Sequence, residues 1–344
     1  MKAVVLREHG GGEVLSYEEI DKPEPATGDV RVRVKAVALN HLDLWVRRGG
    51  PAFHLEYPHR LGAEISGIID ALGPGVEQKG LKVGDRCVVN PGLSCGVCKA
   101  CLSGRDNLCR HYRLLGENTQ GGYGEYAVVP YQNIAPYPGE LSFPEAAASL
   151  LTFMTAWQML VTKARIEPGQ LILVHGAGSG VGVAAIQIAQ LFRCTVIATA
   201  GTDEKLTKAK ALGAAHTINY KSQDFVKEVR ALTNKAGVDV VFEHVGGETF
   251  QKSIKVTRNG GRIVTCGATS GFTPEIDLRH IFFRQVEILG STMSSKGDLL
   301  RCLEHISRGE LKPIIHQVLP LEQAAKAHGI LERREAFGKV VLEP

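Results

Sequence analysis

The sequence predicts an α/β fold in two parts: a β-rich N-terminal region, then a doubly wound parallel sheet of six strands. Three observations predict it. Short alternating runs and many turn residues fill the first 150 or so positions. From about residue 165 strands alternate with helical patterns, and a glycine-rich turn joins the first of those strands to its helix. A chain of 344 residues is long enough for two domains at about 150 residues each.

Composition narrows the classes. Hydrophobic residues make up 44% and charged residues 22%, which excludes a disordered or fibrous chain. The net charge of +4 is spread along the chain with no basic run, so a nucleic-acid partner is not expected. No apolar stretch reaches the roughly 18 residues of a membrane helix, and MKAVVLREHG carries no secretory pattern. No membrane partner and a cytoplasmic location are the expectations.

The elements follow in order. DVRVRVKAVAL (29–39) alternates at period two and reads as a half-buried strand. LILVH (171–175) is an apolar strand. The glycine turn follows, then a helix to about Phe192 and the strand TVIATA (195–200). DEKLTKAKAL (203–212) is a helix closed by Gly213. HTINY (216–220), a helix over 223–232, VDVVFEHV (238–245), a helix over ETFQKSIKVT (248–257) and RIVTCG (262–267) continue the alternation. VEILGS (286–291) is the sixth strand. A helix over 297–307, IIHQVLP, another helix and GKVVLEP end the chain. That last piece of about 50 residues is too small for its own core and is expected to rejoin the N-terminal domain. The predicted domains are 1–151 with 293–344, and 152–292.

The turn reads His175-Gly176-Ala177-Gly178-Ser179-Gly180-Val181-Gly182. Glycines there permit a tight turn and close approach to a pyrophosphate, and the helix start offers free N–H groups to it. Strand, turn and helix in this order mark a Rossmann dinucleotide site at Gly178, Ser179, Gly180, Val181 and Gly182. An NAD enzyme places an acid at the tip of the second strand. Here the tip is Thr199-Ala200-Gly201-Thr202, with Lys205 and Tyr220 nearby, while Asp203 and Glu204 read as first-turn acids of the next helix. NADPH rather than NADH is the expected cofactor.

Cys95, Cys98, Cys101 and Cys109 lie within one 15-residue loop. Four thiolates close a tetrahedral shell at ~2.3 Å per Zn–S bond and leave no place for water or substrate. One structural zinc per chain is expected. Cys87, Cys194, Cys266 and Cys302 read as small buried hydrophobes.

These features together resemble the medium-chain dehydrogenase/reductase superfamily over essentially the whole chain. The marks are the four-cysteine lobe, KVGDRCVV (82–89), the turn followed by VGVAAIQIA, and GKVVLEP. The resemblance implies a GroES-like catalytic domain carrying the zinc lobe, a Rossmann domain, and a C-terminal return. Its alcohol dehydrogenases hold a catalytic zinc with Cys, His and Cys; this chain has Asn40, Ala63 and Leu151 at those positions. The pattern Asn40-x-x-Asp43 with VRRGG is similar to the zinc-free quinone oxidoreductases, although those lack the cysteine lobe. Ser179 stands where that branch has glycine.

By the resemblance, Lys205, Tyr220 and Arg334 clasp the 2′-phosphate, and Thr155, Val245, Gly246 and Gly267 surround the nicotinamide and its ribose. Asn40 is the expected donor to the substrate. Asp43 is grouped with Asn40 as an implied catalytic residue, and Asp43 and Glu64 are expected to act by orienting their neighbours. The implied activity is NADPH-dependent hydride transfer to a quinone or an α,β-unsaturated carbonyl without a catalytic metal. The alternatives are a zinc-type alcohol dehydrogenase with unusual ligands drawn from His41, His59 or Glu64, and a catalytically weak NADPH-binding relative. A crotonyl-CoA-type reductase is a further option, but the sequence shows no basic pocket for a coenzyme A phosphate. A homodimer or homotetramer is implied, with VEILGS paired across a two-fold axis.

Overall fold

The computed structural model describes every residue of the chain except Ala52. The chain divides into two compact units: Met1–Leu151 with Ser295–Pro344, and Thr152–Ser294.

The central unit, Thr152–Ser294, is built on a six-stranded sheet. Its spatial order is His216–Asn219, Thr195–Ala200, Leu171–Val174, Val238–Glu243, Thr257–Thr265, Glu287–Gly290. Every neighbouring pair is parallel. Numbered by sequence the strands run 3-2-1-4-5-6, the Rossmann order, with the switch of direction beside Leu171–Val174. Helices cover both faces of such a sheet, so its inner strands read as continuous apolar runs. Leu173, Ile197, Val241 and Ile263 are fully buried with Phe250 and Ile254 from a covering helix.

The boundary that differs most from the expectation is that of the fifth strand. The fifth strand begins at Thr257 and ends at Thr265, so Cys266 and Gly267 lie just past its tip rather than inside it. Thr257 pairs with Val238, the register then shifts, and the ladder resumes at Arg262 with Val240. Asn259-Gly260-Gly261 absorbs the irregularity, with Gly260 at φ 67°.

The flanking unit carries a seven-stranded sheet. Its path runs Ile315–Pro320, Lys339–Glu343, Asp29–Ala38, Glu64–Leu72, Arg86–Val89, Ile134–Pro136, and Tyr126–Pro130 also pairs with Asp29–Ala38. The alternation of 29–39 holds at Val30, Val32 and Val34, which face the core. It ends in three consecutive buried residues because Ala36 and Ala38 pack on Ala147 and Ala148. The last strand pairs antiparallel with Asp29–Ala38 through Val341 with Ala38 and Leu342 with Val37. Extending that register by two residues sets Lys339 opposite Asn40. No helix among the described residues is long and apolar enough to cross a membrane.

Candidate active site and metal centre

At the carboxyl edge of the parallel sheet the chain leaves Val174 and turns into the helix Gly180–Leu191. Ser179 caps that helix, its Oγ accepting from the Gly182 N–H at 3.0 Å. A Cβ on Gly182 would stand 2.4 Å from Gly176 O and 3.0 Å from Ala177 Cα. Only glycine lets helix and turn approach this closely. The first N–H groups of the helix, at Gly180 and Val181, have no acceptor within it, and together with the helix dipole they suit a phosphate.

His175 holds the strand below the turn. Ser253 Oγ donates to Thr249 O, so it accepts from His175 Nε2–H at 3.0 Å, and Nδ1 accepts from Thr199 Oγ1 at 3.1 Å. Burial pushes this imidazole down to about 3, so it stays neutral. His244 Nε2 donates to His175 O at 2.9 Å. One strand further, the Glu243 carboxylate accepts from Val245 N at 3.0 Å and Gly246 N at 2.9 Å. Thr265 Oγ1 donates to Gly267 O at 3.1 Å. The sheet therefore brings the glycine turn, Val245, Gly246 and Gly267 to one edge. In the same unit the Thr155 hydroxyl is buried without a partner among the described residues.

The tip of the second strand is bounded by Tyr220 and Lys221. A Cβ on Gly201 would lie 2.7 Å from Tyr220 Oη and 3.3 Å from Lys221 Cε. Lys205 sits in the first turn of the helix Asp203–Ala211. Asp203 accepts from Asn219 Nδ2 at 2.7 Å and Glu204 pairs with Lys208, so both acids have internal partners. Arg334 lies in the other unit, at φ 55° just past the helix Ala324–Glu332.

In the flanking unit the four cysteines converge. Their sulfurs all lie within 4.8 Å of one another. The individual separations are 3.9 Å for Cys95–Cys101, 3.5 Å for Cys98–Cys101 and 3.6 Å for Cys109–Cys95. A tetrahedron with ~2.3 Å Zn–S bonds has edges of about 3.8 Å, so the donor set fits zinc. Backbone N–H groups of Val97 and Cys98 hold the Cys95 thiol down to about 6. Val97, Leu102 and Leu108 are exposed here, so the lobe has little apolar burial of its own to hold it closed.

A second polar cluster in this unit gathers around a buried lysine. The Lys339 ammonium, 4% exposed, donates to Leu39 O at 2.6 Å, to Asn40 Oδ1 at 2.7 Å and to Glu64 Oε2. Three protons meet three acceptors. Lysine can only donate, so the Asn40 oxygen must face it, which turns Nδ2 toward Glu64 Oε2 at 3.0 Å. Glu64 is fully buried, and its Oε1 has no partner among the described residues. Asp43 accepts from Asn40 N at 2.7 Å and Gly62 N at 2.9 Å. Gly62 sits at φ 95°, and a Cβ there would be 2.5 Å from the Tyr123 ring. Burial pushes the Asp43 carboxyl up to about 6 despite its two N–H partners. Ala63 and Leu151 are buried and apolar. His59 Nε2 donates to Gly116 O at 3.2 Å.

A zinc-binding dehydrogenase family model matches residues 180–308, and an alcohol dehydrogenase GroES-like domain model matches residues 26–139. The chain is similar to a 2-haloacrylate reductase from Burkholderia sp, at 30% identity over 99% of this chain and 98% of that one. It is 28% identical to a quinone oxidoreductase from Homo sapiens over 99% of this chain and 97% of that one. A solved structure described as an NAD-dependent alcohol dehydrogenase superposes with a TM-score of 0.95 at 55% identity, covering 100% of both chains. The chain belongs to the medium-chain dehydrogenase/reductase superfamily.

As a medium-chain dehydrogenase/reductase it is an oxidoreductase of a family that binds NAD(P). Its residues fit a dinucleotide: Gly182 leaves open the cradle a Cβ would fill, and Thr155 keeps a buried hydroxyl unmatched. Among the described residues the four cysteines form the cluster of ligand-type side chains suited to a metal. The sequence pointed to neither Lys339, which meets Asn40 and Glu64, nor Lys221, which lies beside Gly201. Lys221 directly follows Tyr220 and could have been weighed with it. Lys339 was visible only as part of a terminal strand.

Proposed function

We propose that the protein is an NADPH-dependent reductase of quinones or α,β-unsaturated carbonyls that uses no catalytic metal. The observation that carries this reading is the donor set at Asn40, Ala63 and Leu151. Two of the three side chains have no donor atom, and the amide of Asn40 is bound at both ends by Lys339 and Glu64. Such a set does not hold zinc. Without a Lewis acid, forming an alkoxide from an alcohol is costly. A conjugated acceptor needs only alignment and a hydrogen-bond donor for its developing oxyanion. The similarity to the 2-haloacrylate reductase and the quinone oxidoreductase supports the same class.

When bound, the cofactor supplies the hydride. The chain's own residues do the rest. Asn40 Nδ2 carries two protons: one goes to Glu64, and the other has only a 3.5 Å contact with Ala38 O, at the limit of a hydrogen bond. That second proton is the one Asn40 offers to a substrate oxygen. Asp43, with each oxygen taken by a backbone N–H, is a positioning residue that fixes Asn40 and Gly62. The unacidic tip at Gly201, with Tyr220, Lys221 and Lys205 about it, supports a 2′-phosphate and hence NADPH. We assign cofactor binding to the central unit and substrate binding to the flanking one.

The test is NADPH and NADH oxidation against quinones, enones and aldehydes. Turnover of quinones or enones with NADPH is expected; turnover of simple aldehydes alone would sink the reading. A second reading, an NAD-dependent alcohol dehydrogenase, is favoured by the description of the 55% identical structure. Chelator-sensitive alcohol oxidation with NAD would select it.

We also propose a homodimer through the edge strand Glu287–Gly290. It ends the sheet, and Ile288, Phe282 and Phe283 are exposed on and beside it. An apolar, unpaired edge invites pairing, and a two-fold axis satisfies both copies. Sedimentation at micromolar concentration should give at least a dimer.

A further inference from the structure

The opposite edge of the parallel sheet carries a feature the reaction does not use. A groove of about 1030 Å³ opens beside Gly237 and Thr257, the residues at the amino-terminal starts of the fourth and fifth strands. Lys227, Arg230, Lys235, Lys255 and Arg284 line it with His280, and no carboxylate does. None of these five cations has an ion-pair partner among the described residues. The nearest acid in sequence to the fourth-strand start, Asp239, is held by Arg258 Nε at 2.6 Å and accepts from Leu171 N at 2.7 Å.

Helix ends explain part of this arrangement. Arg230 lies in the last turn of Phe225–Leu232 and Lys255 in the last turn of Gly247–Val256, where cations complement the helix dipole. Lys227, Lys235 and Arg284 have no such reason. Arg284 is half-buried, is held by Ile254 O at 2.9 Å, and is pushed below the usual guanidinium value by burial and by Arg230. Five unpaired cations in one concavity exceed the net +4 of the whole chain. Concentrating one sign in a groove raises the local concentration of the opposite one.

We propose that this groove binds a small polyphosphate anion, at a site distinct from the carboxyl edge that bears the glycine turn. The occupant's chemistry follows from the lining. Guanidinium and ammonium groups from four chain segments line an open groove, which suits several phosphate oxygens in a short chain. No Phe, Tyr or Trp lines it, and His280 is its one aromatic ring, so the lining favours a phosphate chain over a run of stacked bases.

The experiment is calorimetric titration of the full-length protein with inorganic tripolyphosphate, with and without saturating NADPH, and in parallel with ATP. Tripolyphosphate should bind, weaken with added salt, and bind equally well in the presence of NADPH. The double variant Arg230→Glu with Lys255→Glu should lose about tenfold or more in affinity. Lys227→Gln with Lys235→Gln, a milder change at exposed positions, should weaken binding in the same direction. Lys79→Glu in the other unit should leave it unchanged. The absence of tripolyphosphate binding, its loss on adding NADPH, or insensitivity to both double variants would each overturn the proposal. ATP binding without tripolyphosphate binding would also overturn it, since the base and not the phosphate chain would then be read. None of these readouts depends on which acceptor the enzyme reduces.

Discussion

Two polar clusters in the flanking unit face the same electrostatic problem and meet it differently. The cysteine lobe gathers four sulfurs within 4.8 Å, which as thiolates repel one another unless a cation sits among them. The Asn40–Glu64–Lys339 cluster brings its own cation: the ammonium on the last strand neutralises Glu64, and its three protons are all accepted. The sulfurs of one cluster suit a metal cation; the other holds its cation within the chain, with Glu64 Oε1 left unpartnered among the described residues. The proposed function rests on this contrast: a metal in the cysteine lobe, and a reaction that needs none.

Removing one sulfur is the largest perturbation available to this comparison. Cys101→Ser should abolish zinc binding by elemental analysis and loosen the lobe, because structural zinc contributes on the order of 10–16 kcal/mol of apparent binding energy. Hydrogen exchange should localise the loss to residues 95–109. Wild-type protection there without zinc would remove the contrast.

The internal cation is the next target. Lys339→Met strands the buried Glu64 carboxylate, and breaking a buried pair in this way costs about 3–5 kcal/mol. Lys339→Met with Glu64→Gln should recover most of that stability in urea denaturation, because no charge is left uncompensated. It should not recover kcat, since Asn40 loses the partner that orients its amide. A double variant as unstable as the single one would show that the cluster is more than a charge pair.

At the cofactor edge, Lys205→Ala should weaken NADPH by about ten- to a hundredfold, the worth of a charge-assisted contact of roughly 1.5–3 kcal/mol, while NADH changes little. Equal losses would reduce Lys205 to a contributor to the general field.

The pH dependence of stability is a finer probe of the cluster's surroundings. His328 accepts from Arg47 Nη1 at 3.1 Å and donates to Tyr123 Oη at 3.0 Å, and Tyr123 packs against Gly62. Burial and Arg47 push His328 down to about 3. It is neutral when folded, so its contribution is present above its unfolded value near 6.5 and is lost as pH falls from there toward 3. Asp43, pushed up to about 6 by burial, acts with opposite sign: its protonated form favours folding, and that contribution is lost as pH rises from about 4 through 6. His328→Gln should therefore flatten the acid-side slope of stability by about 1.4 kcal/mol per pH unit between pH 6 and 4. An unchanged slope would show that His328 already titrates normally.

What the sequence made legible was local. The alternation of 29–39 follows from the two faces of one strand, the cysteine spacing from one loop, and the glycine turn from one strand–helix junction. Lys339 meets Asn40 across 299 residues, and His328 meets Arg47 across 281. The first depends on the closing strand's register against Asp29–Ala38 and the second on the packing of helix Ala324–Glu332 against helix His41–Arg48, and no local pattern encodes either. The basic groove is the same case. Its cations come from positions 227, 230, 235, 255 and 284, so a linear reading sees an even spread and only the folded sheet gathers them. Asn40 was readable as a site residue through family resemblance, but the binding of both ends of its amide was not.

The most direct test of the account is zinc stoichiometry measured alongside turnover. Purified protein should carry one zinc per chain, and NADPH-dependent reduction of a quinone or enone should survive brief chelation at an undiminished rate. Two zincs per chain, with the second leaving in step with activity, would contradict the account and restore a catalytic metal near Asn40 and Glu64.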